Sequence, residues 1–358
     1  MLRKDTKRPI YILLDILIKG YKICDNRSEN ERIRKKSHMS KLYISMYHYT
    51  RDLKNSRYPD IKGLDSSLFR EQILFMKEHF HVVTMEEVME AAGGHYELPD
   101  DALLLTFDDG YIDNYTFAFP VLDELGVQGS FFIPGKTFTT YELLDVNKIH
   151  YLLASTDIHI ILKDLLERMD HYRGNEYSYA SNEELFQEYA KSNRFDGKEV
   201  IFVKRMLQTV LPEELRNRIA SELFAKHVGI SEQQLAHELY MTEEQIRTLK
   251  RYGMHIGVHG YDHYWLGNLS KEKMQQDMQK ALVIMDEFID NKKWAMNYPY
   301  GSYNEDVIRY AKENGACVGV TTEVRIADLE TDDVMKLPRL DCNDYPPKSE
   351  NYKRMGQA

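Results

Sequence analysis

Apolar and polar positions along this chain follow two alternating periods. Residues 42–47 (LYISMY) read as a strand, and Phe69, Ile73, Phe75, Met76 and Phe80 recur behind it at helical spacing. Thr84 with Glu87 three positions on is a capping-box pattern that opens a short helix, closed by Gly93-Gly94. Residues 102–107 (ALLLTF) form an unbroken apolar run, as expected of a parallel strand covered on both faces. A helix over about 115–125 stopped by Gly126, and a strand over 130–133 stopped by Pro134-Gly135, continue the rhythm.

From about 138 to 240 the helical period takes over and no strand pattern interrupts it. Thr242 with Gln245 then caps a helix ending near Gly253, and 255–258 resumes the strands. A helix from 270 to about 289, a strand at 294–297, a helix at 304–314 closed by Gly315 and a strand at 317–321 complete the series. Strands opening at Leu42, Val82, Leu103, Ser130, His255, Trp294 and Cys317 thus alternate with helices, which predicts an α/β fold with a parallel sheet or barrel. Seven strands suit an incomplete barrel. The chain divides into an extension and linker (1–38), a first barrel part (39–137), a helical insertion (138–241), a second barrel part (242–345) and a tail (346–358).

The 358 residues suffice for one large or two modest domains, and a net charge of −10 argues against nucleic acid as a partner. Three cysteines, Cys24, Cys317 and Cys342, stand far apart without a CxxC pair, so a reducing, cytoplasmic setting is expected, with export or membrane association as the alternative. No run reaches the ~20 apolar residues of a bilayer-spanning helix. The apolar run 10–18 (IYILLDILI) is shorter, carries Asp15 and has no small-residue cleavage site after it, so a plain extension is expected ahead of a membrane-surface or partner-docking helix and of a secretory signal. The charged stretch 25–36 reads as a linker.

Chemistry concentrates at three strand ends. Asp108 and Asp109, followed by Gly110, end the most apolar strand, and two carboxylates at such a tip are well placed for a site. His259 and His263 follow the strand 255–258, four positions apart, a spacing suited to gripping one metal ion. Two imidazoles and a carboxylate from another strand tip make a metal site with open positions, and the spare carboxylate can then accept a proton from the attacking water. The third segment, 297–301 (NYPYG), carries Pro299 and Gly301, so the backbone N–H of Tyr300 can point at a developing oxyanion.

TFDDG, HGYDH and YPYG, in this order and each on a strand end, resemble the polysaccharide deacetylase family, carbohydrate esterase family 4. The resemblance covers about 39–344 apart from the insertion. It implies a distorted (β/α)7 barrel and metal-dependent removal of an N-acyl group, usually N-acetyl, from an amino sugar. By the same resemblance Asp108 is the general base, Asp109, His259 and His263 hold one divalent ion, zinc first with cobalt or nickel as alternatives, and the Tyr300 N–H serves the oxyanion. Other N-acyl targets, such as a formyl group on a lipid-linked sugar or a small cyclic amide, and a catalytically silent glycan-binding barrel are the competing readings.

Two positions depart from the family pattern. Asn297 stands where the third motif usually has an arginine that orients the base, and Arg339 is the candidate replacement. The family's late histidine, the general acid, is missing after Arg339. His48, which ends the first strand, resembles instead the early histidine of the poly-N-acetylglucosamine deacetylase branch and is the candidate acid. Trp265 could wall an acyl pocket, and the remaining histidines, His150 and His227 among them, read as structural.

Overall fold

A computed structural model describes residues 41–193 and 195–355. The expectations for the apolar run 10–18, the linker 25–36 and Cys24 lie outside the described residues. In chain order the strands are β1 (Lys41–Tyr47), β2 (Thr50–Arg51), β3 (Leu64–Asp65), β4 (His81–Val82), β5 (Ala102–Phe107), β6 (Ser130–Ile133), β7 (His255–Val258), β8 (Trp294–Asn297), β9 (Ala316–Val320), β10 (Ala327–Asp328) and β11 (Leu340–Asp341). β2 and β3 pair only with each other. The remaining nine form one sheet along the path β10-β1-β5-β6-β7-β8-β9, with β11 beside β1 and β4 beside β5.

From β1 to β9 every pairing is parallel, and only β10 runs against β1. The sheet curls back on itself. Val320 bridges Leu337, the Leu337 N–H donates to the Gly319 carbonyl at 2.8 Å, and β11 then joins β1 in parallel register. The seven expected strands are all present, while β10 and β11, two residues each, fall below what periodicity can detect. β4 touches only the start of β5, so the (β/α)7 barrel is distorted.

The two-residue period of the strands separates the core into two layers. Leu103, Leu105 and Phe107 pack outward with Phe131, Ile133, Trp294 and Met296 against the helices. Leu42, Ile44, Leu104, Phe132, Ala295, Val318 and Val320 fill the interior of the curl. Positions 48, 108, 259 and 297 continue the inward rows one step past the last apolar layer, which is why the polar residues there converge.

Between β6 and β7 the described residues form helices and turns without a strand of the main sheet. Up to Tyr240 the longer helices are Asp145–Ser155, Ile158–Tyr172, Asn182–Tyr189, Lys198–Arg205, Glu213–His227 and Glu232–Leu239, and Glu243–Arg251 leads into β7. They enclose a core of their own around Ile149, Leu165, Phe202 and Leu215, and share a second one with the barrel mouth through Tyr49, Tyr111, Tyr151 and Tyr240. Among the described residues no helix is long and apolar enough to cross a membrane.

Candidate active site

The parallel register sets the two sides of the site. Tyr47 pairs with Phe107, so His48 and Asp108 emerge together from β1 and β5. Val258 pairs with Met296, so His259 and Asn297 emerge together from β7 and β8. After β5 the chain turns sharply: Asp109 has φ 71° and Gly110 φ 69°, the left-handed region that a side chain tolerates poorly. A Cβ on Gly110 would also meet Ile133 Cγ2 at 2.8 Å, so the turn lies hard against β6.

The turn aims the two carboxylates at different partners. Asp109 Oδ1 lies 3.3 Å from His259 Nε2 and 3.2 Å from His263 Nε2, with all three residues buried. No hydrogen bond satisfies Oδ1, an orphaned buried acceptor. His259 Nδ1 donates to the Asn297 carbonyl at 2.7 Å, which leaves the Nε2 lone pair facing Oδ1. One oxygen and two imidazole nitrogens, all within 4.8 Å of one another, fit a single metal ion and satisfy nothing else here. Burial pushes His263 down, toward the neutral form a ligand needs.

Asp108 belongs to Arg339. The guanidinium, wholly buried, reaches Asp108 with a two-pronged contact, Nη1 to Oδ1 at 2.8 Å and Nη2 to Oδ2 at 2.9 Å. Nη1 also donates to Thr106 Oγ1 at 3.1 Å, Nη2 to Asn297 Oδ1 at 3.1 Å, and Nε to the Thr321 carbonyl at 2.8 Å. Burial raises the Asp108 carboxyl, and Arg339, then His48, bring it to a net position below the ordinary value. His48 Nε2 sits 3.7 Å from Asp108 Oδ2 with its side chain 38% exposed, so it faces solvent where the buried groups do not. A cavity of about 360 Å³ opens beside it, walled by Tyr49, Leu64, His150, Leu153 and Ala154.

Tyr300 also has a positive φ, 58°, which turns the backbone sharply after β8. Its ring meets His263 edge-on at 4.6 Å and stacks on Trp265 at 4.5 Å, only 6° from parallel. Trp265 therefore lies at the site rather than in the core. All seven residues singled out in the sequence, His48, Asp108, Asp109, His259, His263, Tyr300 and Arg339, meet at the carboxyl ends of the strands. Residues not expected there are Thr106 and Asn147. Tyr111 is there as well, its hydroxyl donating to Asp109 Oδ2 at 2.6 Å. His227, read as structural, contacts Asp164 at 2.6 Å inside the helical segment, where two helices distant in sequence pack together.

A sequence profile of the polysaccharide deacetylase family matches residues 95–177 and 218–319, over half of the chain and including both carboxylates and both imidazoles. The chain belongs to the polysaccharide deacetylase family. The Bacillus subtilis polysaccharide-deacetylase homologue YxkH is 32% identical over 89 residues, 25% of this chain and 32% of that protein. The poly-β-1,6-N-acetyl-D-glucosamine N-deacetylase of Escherichia coli is 34% identical over 80 residues, 22% of this chain and 12% of that protein. Both alignments thus span well under half of either relative. The fold extends further than the sequence likeness: the Streptococcus pyogenes deacetylase PplD superposes with a TM-score of 0.51 at 18% identity, covering 89% of this chain and 99% of that one. The de-N-acetylase of Aggregatibacter actinomycetemcomitans does so with 0.51 at 16%, covering 87% and 99%. Among such deacetylases this chain shares the (β/α)7 barrel.

Proposed function

We propose that this polysaccharide deacetylase removes N-acetyl groups from an amino-sugar polymer or its biosynthetic precursor, using one divalent metal ion, zinc in the first place and cobalt or nickel as alternatives. One observation carries the reading. Two adjacent carboxylates have separate partners, Asp109 on two imidazoles and Asp108 on a buried arginine. A barrel that only bound metal and glycan would have no use for the second arrangement.

Asp109 Oδ1, His259 Nε2 and His263 Nε2 would hold the ion, which when bound polarises the acyl carbonyl and acidifies water. Asp108 takes the proton from the attacking water. Its pairing with Arg339 keeps it ionised and fixes the plane of its carboxylate. The Tyr300 N–H would face the oxygen on which charge develops, and its fixed left-handed backbone leaves little to reorganise. His48, on the exposed side of Asp108 and beside the cavity, donates a proton to the leaving amine, so the sugar ring lies toward the cavity. The two named N-deacetylases among the similar proteins support N-acetyl over other acyl groups.

The test is metal content of the purified chain together with acetate release from N-acetylglucosamine oligomers, before and after chelation and metal return. About one ion per chain and chelator-sensitive acetate release is the expected result. Bound metal without acetate from any oligomer would overturn the N-acetyl assignment, and a chain that binds no divalent ion would overturn the ligand set.

A further inference from the structure

Asp109 uses only one oxygen toward the two imidazoles. The other, Oδ2, accepts the Tyr111 hydroxyl, and that hydroxyl accepts Asn147 Nδ2 at 2.6 Å. Asn147 is fully buried on helix Asp145–Ser155, in the helical segment and not in the barrel. Its Nδ2 also donates to the Tyr49 hydroxyl at 2.7 Å, and its Oδ1 accepts the Tyr240 hydroxyl at 2.5 Å. The Tyr240 hydroxyl in turn accepts the Leu144 N–H at 2.9 Å. Both amide donors and the amide acceptor are therefore used.

The direction of this network has one solution. Turning the Asn147 amide over would place Oδ1 against Tyr111, whose hydroxyl would then donate to it and leave Asp109 Oδ2 without a donor. Ring stacking holds the same parts together: Tyr49 lies on Tyr111 with centroids 4.2 Å apart, and Tyr111 runs nearly parallel to Tyr240. The backbone adds a bridge between Tyr111 and Tyr240 and a 3.0 Å bond from the Met241 N–H to the Gly110 carbonyl.

We propose that Asn147 is a positioning residue for the metal centre: through Tyr111 the helical segment locks Asp109 so that Oδ1 alone faces His259 and His263. This rests on the reading of those three residues as metal ligands. A carboxylate turns easily about its terminal bond, and a buried donor on one oxygen removes that freedom before any ion arrives. Partners one step behind a metal ligand commonly govern 10- to 100-fold of affinity. Asn147 and Tyr240 stand near opposite ends of the segment, so both ends must dock for the network to close.

The probe is zinc alone, with affinity measured by competition against a chromophoric chelator on the full chain. Tyr111→Phe and Asn147→Leu should each weaken zinc by about 10- to 100-fold, and the double variant should bind no more weakly than the weaker single one, because Asn147 acts through Tyr111. Tyr58→Phe is the control. Its hydroxyl donates to the Val228 carbonyl in the same apolar cluster and has no link to Asp109, so it should leave zinc affinity alone. Melting in chelator reports folding separately from affinity. Should Asn147→Leu fail to fold, Tyr240→Phe removes the donor to Asn147 Oδ1 and keeps the ring, and weaker zinc binding is again expected. Parent-like zinc affinity in the folded Asn147 or Tyr240 variant, or additive losses in the double variant, would overturn the proposal. Absence of zinc binding in the parent would instead overturn the ligand set beneath it.

Discussion

Arg339 and Asp108 face each other as two parallel forks, Nη1 on Oδ1 and Nη2 on Oδ2, at 2.8 and 2.9 Å. They are 231 positions apart in the chain and both buried. The arginine reaches Asp108 from the segment that closes the barrel between β9 and β11, so closing the fold also pairs this buried carboxylate. Asn297 completes the arrangement by accepting from Nη2 with its side chain and from His259 with its carbonyl. An arginine at 297 would compete with Arg339 for the same carboxylate.

Arg339→Lys keeps the charge and loses the fork. Asp108 is held below its ordinary range, so losing Arg339 raises it, and the acidic limb of a kcat/KM profile should move to higher pH. Arg339→Met should also destabilise the fold by about 3–5 kcal/mol, since a buried charge is left unpaired. An unmoved acidic limb in Arg339→Lys would remove Arg339 from the tuning of the base.

Asp108→Asn removes the proposed proton acceptor without touching Asp109 Oδ1. We expect metal content to stay at the parent level and acetate release to fall about 10²- to 10⁴-fold. Turnover near the parent value would show that another group takes the proton.

His48→Gln should discriminate between leaving groups. An amine departs only with a proton, whereas a nitrophenolate does not need one, so the variant should lose about 10²-fold or more on N-acetylglucosamine oligomers and little on 4-nitrophenyl acetate. Equal losses on both substrates would place His48 in binding rather than proton donation.

Removal of metal should be visible in stability. An ion that binds only the folded chain stabilises it by about 2.7 kcal/mol when free metal is 100-fold above Kd. Thermal melting with zinc and with chelator should differ in the parent and coincide in His263→Ala. Coincident melts in the parent would argue against an ion at this cluster.

Asp277 supplies a pH-dependent contribution beside the site. It is buried on helix Lys271–Met285 and accepts the N–H groups of Tyr261 and Asp262 at 3.0 and 2.8 Å, holding the loop between the two imidazoles. Burial pushes its carboxyl up to about 6. A carboxyl raised in the folded state stabilises fully below its unfolded value, near 4, and that contribution fades as pH rises through 6. Across pH 4 to 7 the stability of Asp277→Asn relative to the parent should therefore rise, by about 3 kcal/mol. A pH-independent difference in denaturant melts would refute the shift.

The strands and the tips that carry chemistry were legible because they rest on local signals. The apolar run of β5, the Gly110 turn and the His259/His263 spacing each lie within about ten residues and state their own period or punctuation. β10 and β11 were not legible, since two residues carry no period. Thr106 and Asn147 gave no signal for a related reason: a threonine inside a strand and an asparagine inside a helix look like any other until a partner from elsewhere is packed against them. Tyr111 adjoins the TFDDG motif, yet nothing local reveals that its hydroxyl caps Asp109.

What the sequence determined by itself was the seven alternating strands and the helices between them, the alternation that makes a barrel of them, and the two carboxylates and two imidazoles at its strand ends. Short-range periodicity and glycine turns are enough for that, because they depend on residues near one another in the chain. Only the tertiary structure decided which carboxylate meets the imidazoles and which meets Arg339, that Arg339 and Asn297 meet beside Asp108, and that the helical segment reaches Asp109 through Asn147 and Tyr111. These pairings span up to 231 positions, and the curl of the sheet, not any local pattern, brings such residues within hydrogen-bonding distance.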